Sequence, residues 1–289
     1  MMGQALCRIA PAWLRLAAAG LTAAAFPAAA DEPCPGTEDG LDACRAYIEI
    51  NATDGDIGFH AKLDAEGWRW AKIYSPRGRP LMLTGGLGPL RRQTVTEFFF
   101  ESEEPPCWFE AGNDDVDWDE DEVVSLRHFL ERFPEGEYHF RVKQPRGGML
   151  AGSTIMSHAL PGAPRDLAFE DNVISWAPGD DLGRCEPEGG SGAGMVPVVA
   201  YQVVLEPDVD AEEPADELAA AQIFDVLVPG NVTSVSVPED YVATFPENTP
   251  AKVEIIAIEQ RDNGSFGNQV AAEEDGFCLN ETGDGCEED

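Results

Sequence analysis

The sequence predicts an all-β protein of two tandem β-sandwiches, with one short helix near residues 125–133. Three observations predict it. Short runs that alternate apolar and polar residues recur along the chain, which is the pattern of half-buried strands. Gly, Pro, Asn and Asp turn signals separate them at short intervals, a spacing that favours a sandwich or barrel. The alternation breaks at Ala159-Leu160-Pro161-Gly162-Ala163-Pro164, with strand patterns on both sides. One sandwich ends there and another begins.

A length of 289 residues suits one or two domains. Residues 1–30 carry Arg8 and Arg15, an apolar run from Leu16 to Phe26, and Ala28-Ala29-Ala30 before Asp31. That is the pattern of a cleaved secretory signal peptide, so the mature chain is expected to begin at Asp31 and to be secreted or periplasmic. No later run approaches the roughly 20 apolar residues of a membrane span. Loss of the two arginines takes the formal charge from −35 to −37. Nucleic acid and anionic membrane surfaces are therefore poor partners. Export leaves six cysteines, Cys34, Cys44, Cys107, Cys185, Cys278 and Cys286. An even number after export reads as disulfides, with 15 connectivities open, and no pair has zinc-site spacing.

Residues 31–46 form a Pro/Gly/acid-rich entry segment, in which Cys34 and Cys44 close a local loop. The first sandwich spans 47–158. Its strands are expected at Tyr47–Ala52, Gly58–Leu63, Trp68–Tyr74, Pro80–Thr84 and Thr94–Glu101, separated by turns such as Asp54-Gly55 and Gly85-Gly86. Leu126, Phe129, Leu130 and Phe133 then recur at helical spacing between Ser125, which caps, and Pro134, which stops. Tyr138, Phe140 and Val142 share the buried face of the next strand, and Leu150–Ser157 supplies the last. This block resembles an immunoglobulin-like sandwich, which implies that Tyr138, near the start of the penultimate strand, bonds back to upstream backbone.

The second block, 161–272, opens with Pro161–Phe169, continues through Val173-Ile174-Ser175-Trp176-Ala177-Pro178 with its core tryptophan, and has a third strand at Val199–Leu205. It closes with Val253–Ile258, the turn Asp262-Asn263-Gly264 and Ser265–Asn268. It resembles a fibronectin type III domain on those residues, although the family's corner tyrosine is absent near Ala251 and the loops at 183–197 and 208–221 are long. The resemblance places the loop holding Cys185 at the end where the chain enters, near Cys107. It thus implies a Cys107–Cys185 bridge between the sandwiches, leaving Cys278 and Cys286 to close a loop within the acidic tail, 273–289, which reads as disordered.

Candidate chemistry is sparse. His60, His128, His139 and His158 show no metal-site spacing and read as surface or junction residues. Gly189-Gly190-Ser191-Gly192-Ala193 misses the nucleophile elbow at its last position. Alternate carboxylates at Asp115, Asp117, Asp119 and Asp121 offer oxygen ligands suited to calcium, yet Glu120 and Leu126 stand where an EF-hand loop needs Gly and Glu. The basic segment 62–92 either neutralises that acidic run or receives an outside anion. Trp68, Trp70, Trp108 and Trp118 offer a sugar-stacking platform, but Trp68 and Trp70 share a strand face, a pattern that reads as buried aromatics.

Strand parity puts Val204, Ile256 and Ile258 on the outer sheet of the second sandwich, as a partner-binding patch or one covered by the 208–221 insertion. With none of the catalytic motifs searched for present, the expectation is a non-catalytic binding or scaffolding module for a protein or glycan. A calcium- or glycan-binding accessory is the alternative.

Overall fold

A computed structural model describes residues 34, 41–108, 122–209, 220–261, 265–282 and 286. The expected signal peptide, most of the acidic run and much of the 208–221 insertion lie outside them. The fold is all-β. The first half contains β1 (Ala43–Asn51), β2 (Asp56–Trp68), β3 (Trp70–Tyr74), β4 (Pro80–Gly85), β5 (Val95–Glu101), β6 (Gly136–Lys143) and β7 (Met149–Met156). The second contains β8 (Arg165–Glu170), β9 (Val173–Ala177), β10 (Val198–Pro207), β11 (Phe224–Pro229), β12 (Ser234–Ser236), β13 (Thr249–Gln260) and β14 (Phe266–Leu279). Among the described residues three short α-helices join them: α1 (Leu90–Gln93), α2 (Leu126–Arg132) and α3 (Glu239–Val242). Only α2 is the expected helix, and the Ser125 side chain accepts from the His128 amide at its start.

Strand order repeats between the halves. In the first, β1-β2-β5 faces β4-β3-β6-β7; in the second, β12-β9-β8 faces β11-β10-β13-β14. Counted within each half, the first, second and fifth strands form one sheet, and the fourth, third, sixth and seventh form the other. The halves then share a sheet. β1 pairs in parallel with β14, setting Glu49 opposite Gln269, Ile50 opposite Val270 and Asn51 opposite Ala271. This seam makes one seven-stranded sheet, β11-β10-β13-β14-β1-β2-β5, and removes two edges that would otherwise present unpaired backbone groups.

Alternation explains the cores. Tyr138, Phe140 and Val142 of β6 are fully buried, and the Tyr138 hydroxyl donates to the Pro134 carbonyl at 3.0 Å, the upstream bond expected of it. Ile48, Ile50, Phe59, Leu63 and Trp68 join them in the first core, which also takes Leu160 from the connection and Leu182 and Val270 from the second half. A separate core holds Ile174, Tyr201, Leu205, Val253 and Ile255, with Trp176 set edge-on to Tyr201.

Several boundaries differ from the sequence reading. β14 continues past Ala272 to Leu279, because Leu279 is fully buried and Phe277 packs on the second core, so the acidic Glu273-Glu274-Asp275 lies within a strand. β11 escapes pattern reading because apolar Leu227 occupies an exposed position between core-facing Val226 and Val228. Trp68 ends β2 and is buried, whereas Trp70 begins β3 and is half-buried, so the two do not share one strand.

Candidate functional site

The two cores lie on the same side of the seven-stranded sheet, which leaves one continuous outer face. Ile48 and Ile50 point inward, so parity turns Tyr47, Glu49 and Asn51 outward, and the hairpin register sets Tyr47 opposite His60 and Asn51 opposite Asp56. Across the seam the same face carries Glu273, opposite Glu254 on β13, while Lys252 faces Glu206 on β10. Carboxylates from both halves therefore share a surface.

The first cluster lies beside the seam. Lys252 Nζ is 3.0 Å from Glu206 Oε1 and 3.7 Å from Glu273 Oε2. Asn51 Nδ2 donates to Glu273 Oε1 at 2.8 Å and to Asp54 Oδ2 at 2.9 Å. Burial, with Glu273 and Glu49 nearby, pushes the Glu254 carboxyl up to about 7. Asp56 is also pushed up to about 7, by burial and then by Glu104 and Asp54. One ammonium does not neutralise this group.

The second cluster is Glu49, His60 and Glu104. Each offers a ligand atom within 4.8 Å of the others. His60 is only 3% exposed. Its Nε2 lies 3.0 Å from Glu104 Oε1, and its Nδ1 lies 4.0 Å from Glu49 Oε2 without a hydrogen-bond partner. Tyr47 and the edge-on Phe99 flank the ring. Glu104 reaches it because the segment after β5 stays against β2, with the Ile57 amide donating to the Pro105 carbonyl and the Ser102 amide to the Phe59 carbonyl. Burial raises the Glu49 carboxyl, and for His60 it opposes a charge that Glu104 and Glu49 more than restore, so its pKa is also raised.

The sequence-based candidates fare unevenly. Cys34 joins Cys44, Cys107 joins Cys185 and Cys278 joins Cys286. Asp115, Asp117, Asp119 and Asp121 lie outside the described residues. Val204, Ile256 and Ile258 do face outward but are 8%, 8% and 2% exposed, so they form no open patch. Ile256 and Ile258 instead pack with Ala200, Ala271, Val199 and Phe266.

In the basic segment Lys62 pairs with Glu97 at 3.0 Å. His60 is not a surface residue, since alternation sets it on the outer face but Glu49 and Glu104 enclose it. His158 does lie at the junction, with Nε2 2.8 Å from the Phe133 carbonyl. Pattern reading missed Glu49 and Glu104. The hairpin turn Thr53-Asp54-Gly55 carried a usable signal, because its register makes Glu49 and His60 diagonal neighbours on one face.

No family model and no curated protein matches the chain. Among the solved structures similar to it are two at low identity. One is the BSP domain of a biofilm-associated protein, 11% identical with a TM-score of 0.21 over 80% of this chain and 28% of that one. The other is described by its work on host cell surface retention of a 1.5-MDa bacterial ice-binding adhesin, and is 12% identical with a TM-score of 0.21 over 84% of this chain and 64% of that one. The chain thus spans less than two thirds of either neighbour's length.

Proposed function

We propose that the protein is an exported, non-catalytic binding or scaffolding module in which two fibronectin type III-like sandwiches are fused into one stiff unit. The observation that carries this reading is the shared sheet. Tandem sandwiches on a free linker move independently, whereas the parallel β1–β14 seam makes the strands of one half a continuation of the other. The Cys107–Cys185 bridge adds a covalent tie 78 residues apart in sequence. The repeated strand order and the core position of Trp176 support the type III-like assignment of the second half. Three disulfides suit an oxidising compartment, and among the described residues no helix is long and apolar enough to cross a membrane.

Scanning calorimetry on residues 31–289 tests the reading. A fused unit unfolds in one transition whose calorimetric and van't Hoff enthalpies agree. Two resolved transitions, each assignable to one core, would show independent modules and end the stiff-scaffold reading.

A second reading, a cation-binding accessory, is favoured by the outer sheet face. Glu254 and Asp56 are half-buried among other carboxylates, and positive charge there relieves both burial and repulsion.

A further inference from the structure

We propose that Glu49 and His60 bind a divalent cation of the zinc class on the outer sheet face, with Glu104 orienting the imidazole. This deepens the cation-binding reading and does not depend on the scaffold reading.

The first support is an unanswered atom. His60 Nδ1 is buried, has no hydrogen-bond partner, and faces the Glu49 carboxylate across 4.0 Å. When Nε2 carries the proton that Glu104 accepts at 3.0 Å, Nδ1 presents a lone pair to another acceptor. Two acceptors facing one another call for a positive charge between them. A histidine that gives its other ring N–H to a carboxylate while its free nitrogen meets a metal is a common way to fix a ligating ring.

Space is the second support. A Cβ on Gly58, the residue opposite Glu49, would strike the Glu104 carboxylate and His60 Nε2. Glycine there keeps open the cradle in which the carboxylate meets the ring. The three side chains already bring their ligand atoms within 4.8 Å of one another. Tetrahedral zinc, at about 2.0–2.2 Å from each donor, needs Glu49 and Nδ1 to approach to about 3.3 Å. Rotation of a half-buried glutamate supplies that movement.

Donor chemistry selects the ion. Calcium takes 6–8 oxygen ligands, more than this cluster provides, whereas one imidazole nitrogen with a carboxylate suits zinc and its first-row neighbours. With two protein ligands, the other coordination positions are open to water or to a side chain from a partner. The bound ion is then a docking point on the outer face, next to Phe99, which is 52% exposed.

The competing occupant is a proton, which makes His60 an imidazolium between two carboxylates. Zinc titrations in 0.15 M NaCl, followed by competition with a chromophoric chelator, separate the two. One zinc per chain is expected, weakened at least tenfold in both His60→Gln and Glu49→Gln and unchanged in His139→Gln. Since a buried substitution also tests folding, the imidazole nitrogens of the unaltered protein are followed by NMR in parallel: zinc should move the Nδ1 resonance of His60 and leave Nε2 protonated. An Nδ1 signal that zinc does not move, or stoichiometric binding that survives His60→Gln, overturns the site. Binding that survives would still leave a cation-binding protein, and neither result bears on the single calorimetric transition.

Discussion

The Asn268 side chain accepts the Ile48 amide at 2.9 Å, across the seam between the two sandwiches. Asn268 is fully buried, and its Nδ2 also donates to the Ser157 carbonyl at 3.0 Å and the Ala159 carbonyl at 2.7 Å. Its own amide donates to Glu259 Oε2 at 2.8 Å, while the other oxygen of that carboxylate takes the Ser157 hydroxyl at 2.8 Å. One amide side chain therefore joins β1, β14 and the connection between the halves. Asn268→Leu would keep comparable volume while stranding one buried backbone amide and two partly buried carbonyls, each costing about 1–3 kcal/mol. We expect a loss of about 3 kcal/mol or more in urea unfolding. A loss below about 1 kcal/mol would mean that the seam does not depend on this side chain.

The Cys107–Cys185 bridge closes a loop of 78 residues. Chain entropy alone values such a crosslink at about 4 kcal/mol, less whatever order the unfolded chain retains. The double variant Cys107→Ser/Cys185→Ser should unfold about 3–4 kcal/mol sooner while keeping one transition, because the parallel seam remains. Separation into two calorimetric transitions would show that the disulfide, rather than the sheet, unites the halves.

The pH dependence follows from the outer face. Glu254, which faces Glu273, Glu49, Glu206 and Lys252, and Asp56, which faces Glu104, Asp54 and Glu273, are both raised to about 7. Between roughly pH 4 and 7 the folded chain holds protons there that the unfolded chain has released, so stability falls as pH rises through that window. The melting temperature should be higher at pH 5.5 than at pH 8 in the absence of divalent ions. Glu254→Gln should flatten the slope and raise the melting temperature at pH 8. An unchanged slope would assign the effect to the large overall negative charge instead.

Tyr138 offers a test of a hydrogen bond that lies within the first sandwich. Its ring is buried against Phe59, and its hydroxyl reaches the Pro134 carbonyl. Tyr138→Phe keeps the ring and removes one hydrogen bond, which should cost about 1–2 kcal/mol in chemical denaturation. A neutral result would mean that water satisfies the Pro134 carbonyl once the hydroxyl is gone.

What the sequence determined is what short-range chemistry fixes. Tyr138, Phe140 and Val142 declare a buried face because side chains alternate along a strand, and that rule needs no knowledge of the neighbouring strand. Ser125 and Pro134 bound α2 for equally local reasons. The outward parity of Ile256 and Ile258 was legible in the same way, but their burial was not, since Phe266 and Ala271, which pack with them, belong to another strand.

The tertiary structure alone decided which sheet edges meet. Every residue brings the same backbone donors and acceptors to an edge, so nothing in β1 or β14 names the other as its partner. The seam sets Glu49 opposite Gln269 across 220 positions of sequence. Glu104 comes to His60 through backbone bonds in the segment after β5 that follow no periodicity. The candidate site arises from this long-range pairing: alternation put Glu49 and His60 on a face, and the packing of remote segments enclosed them.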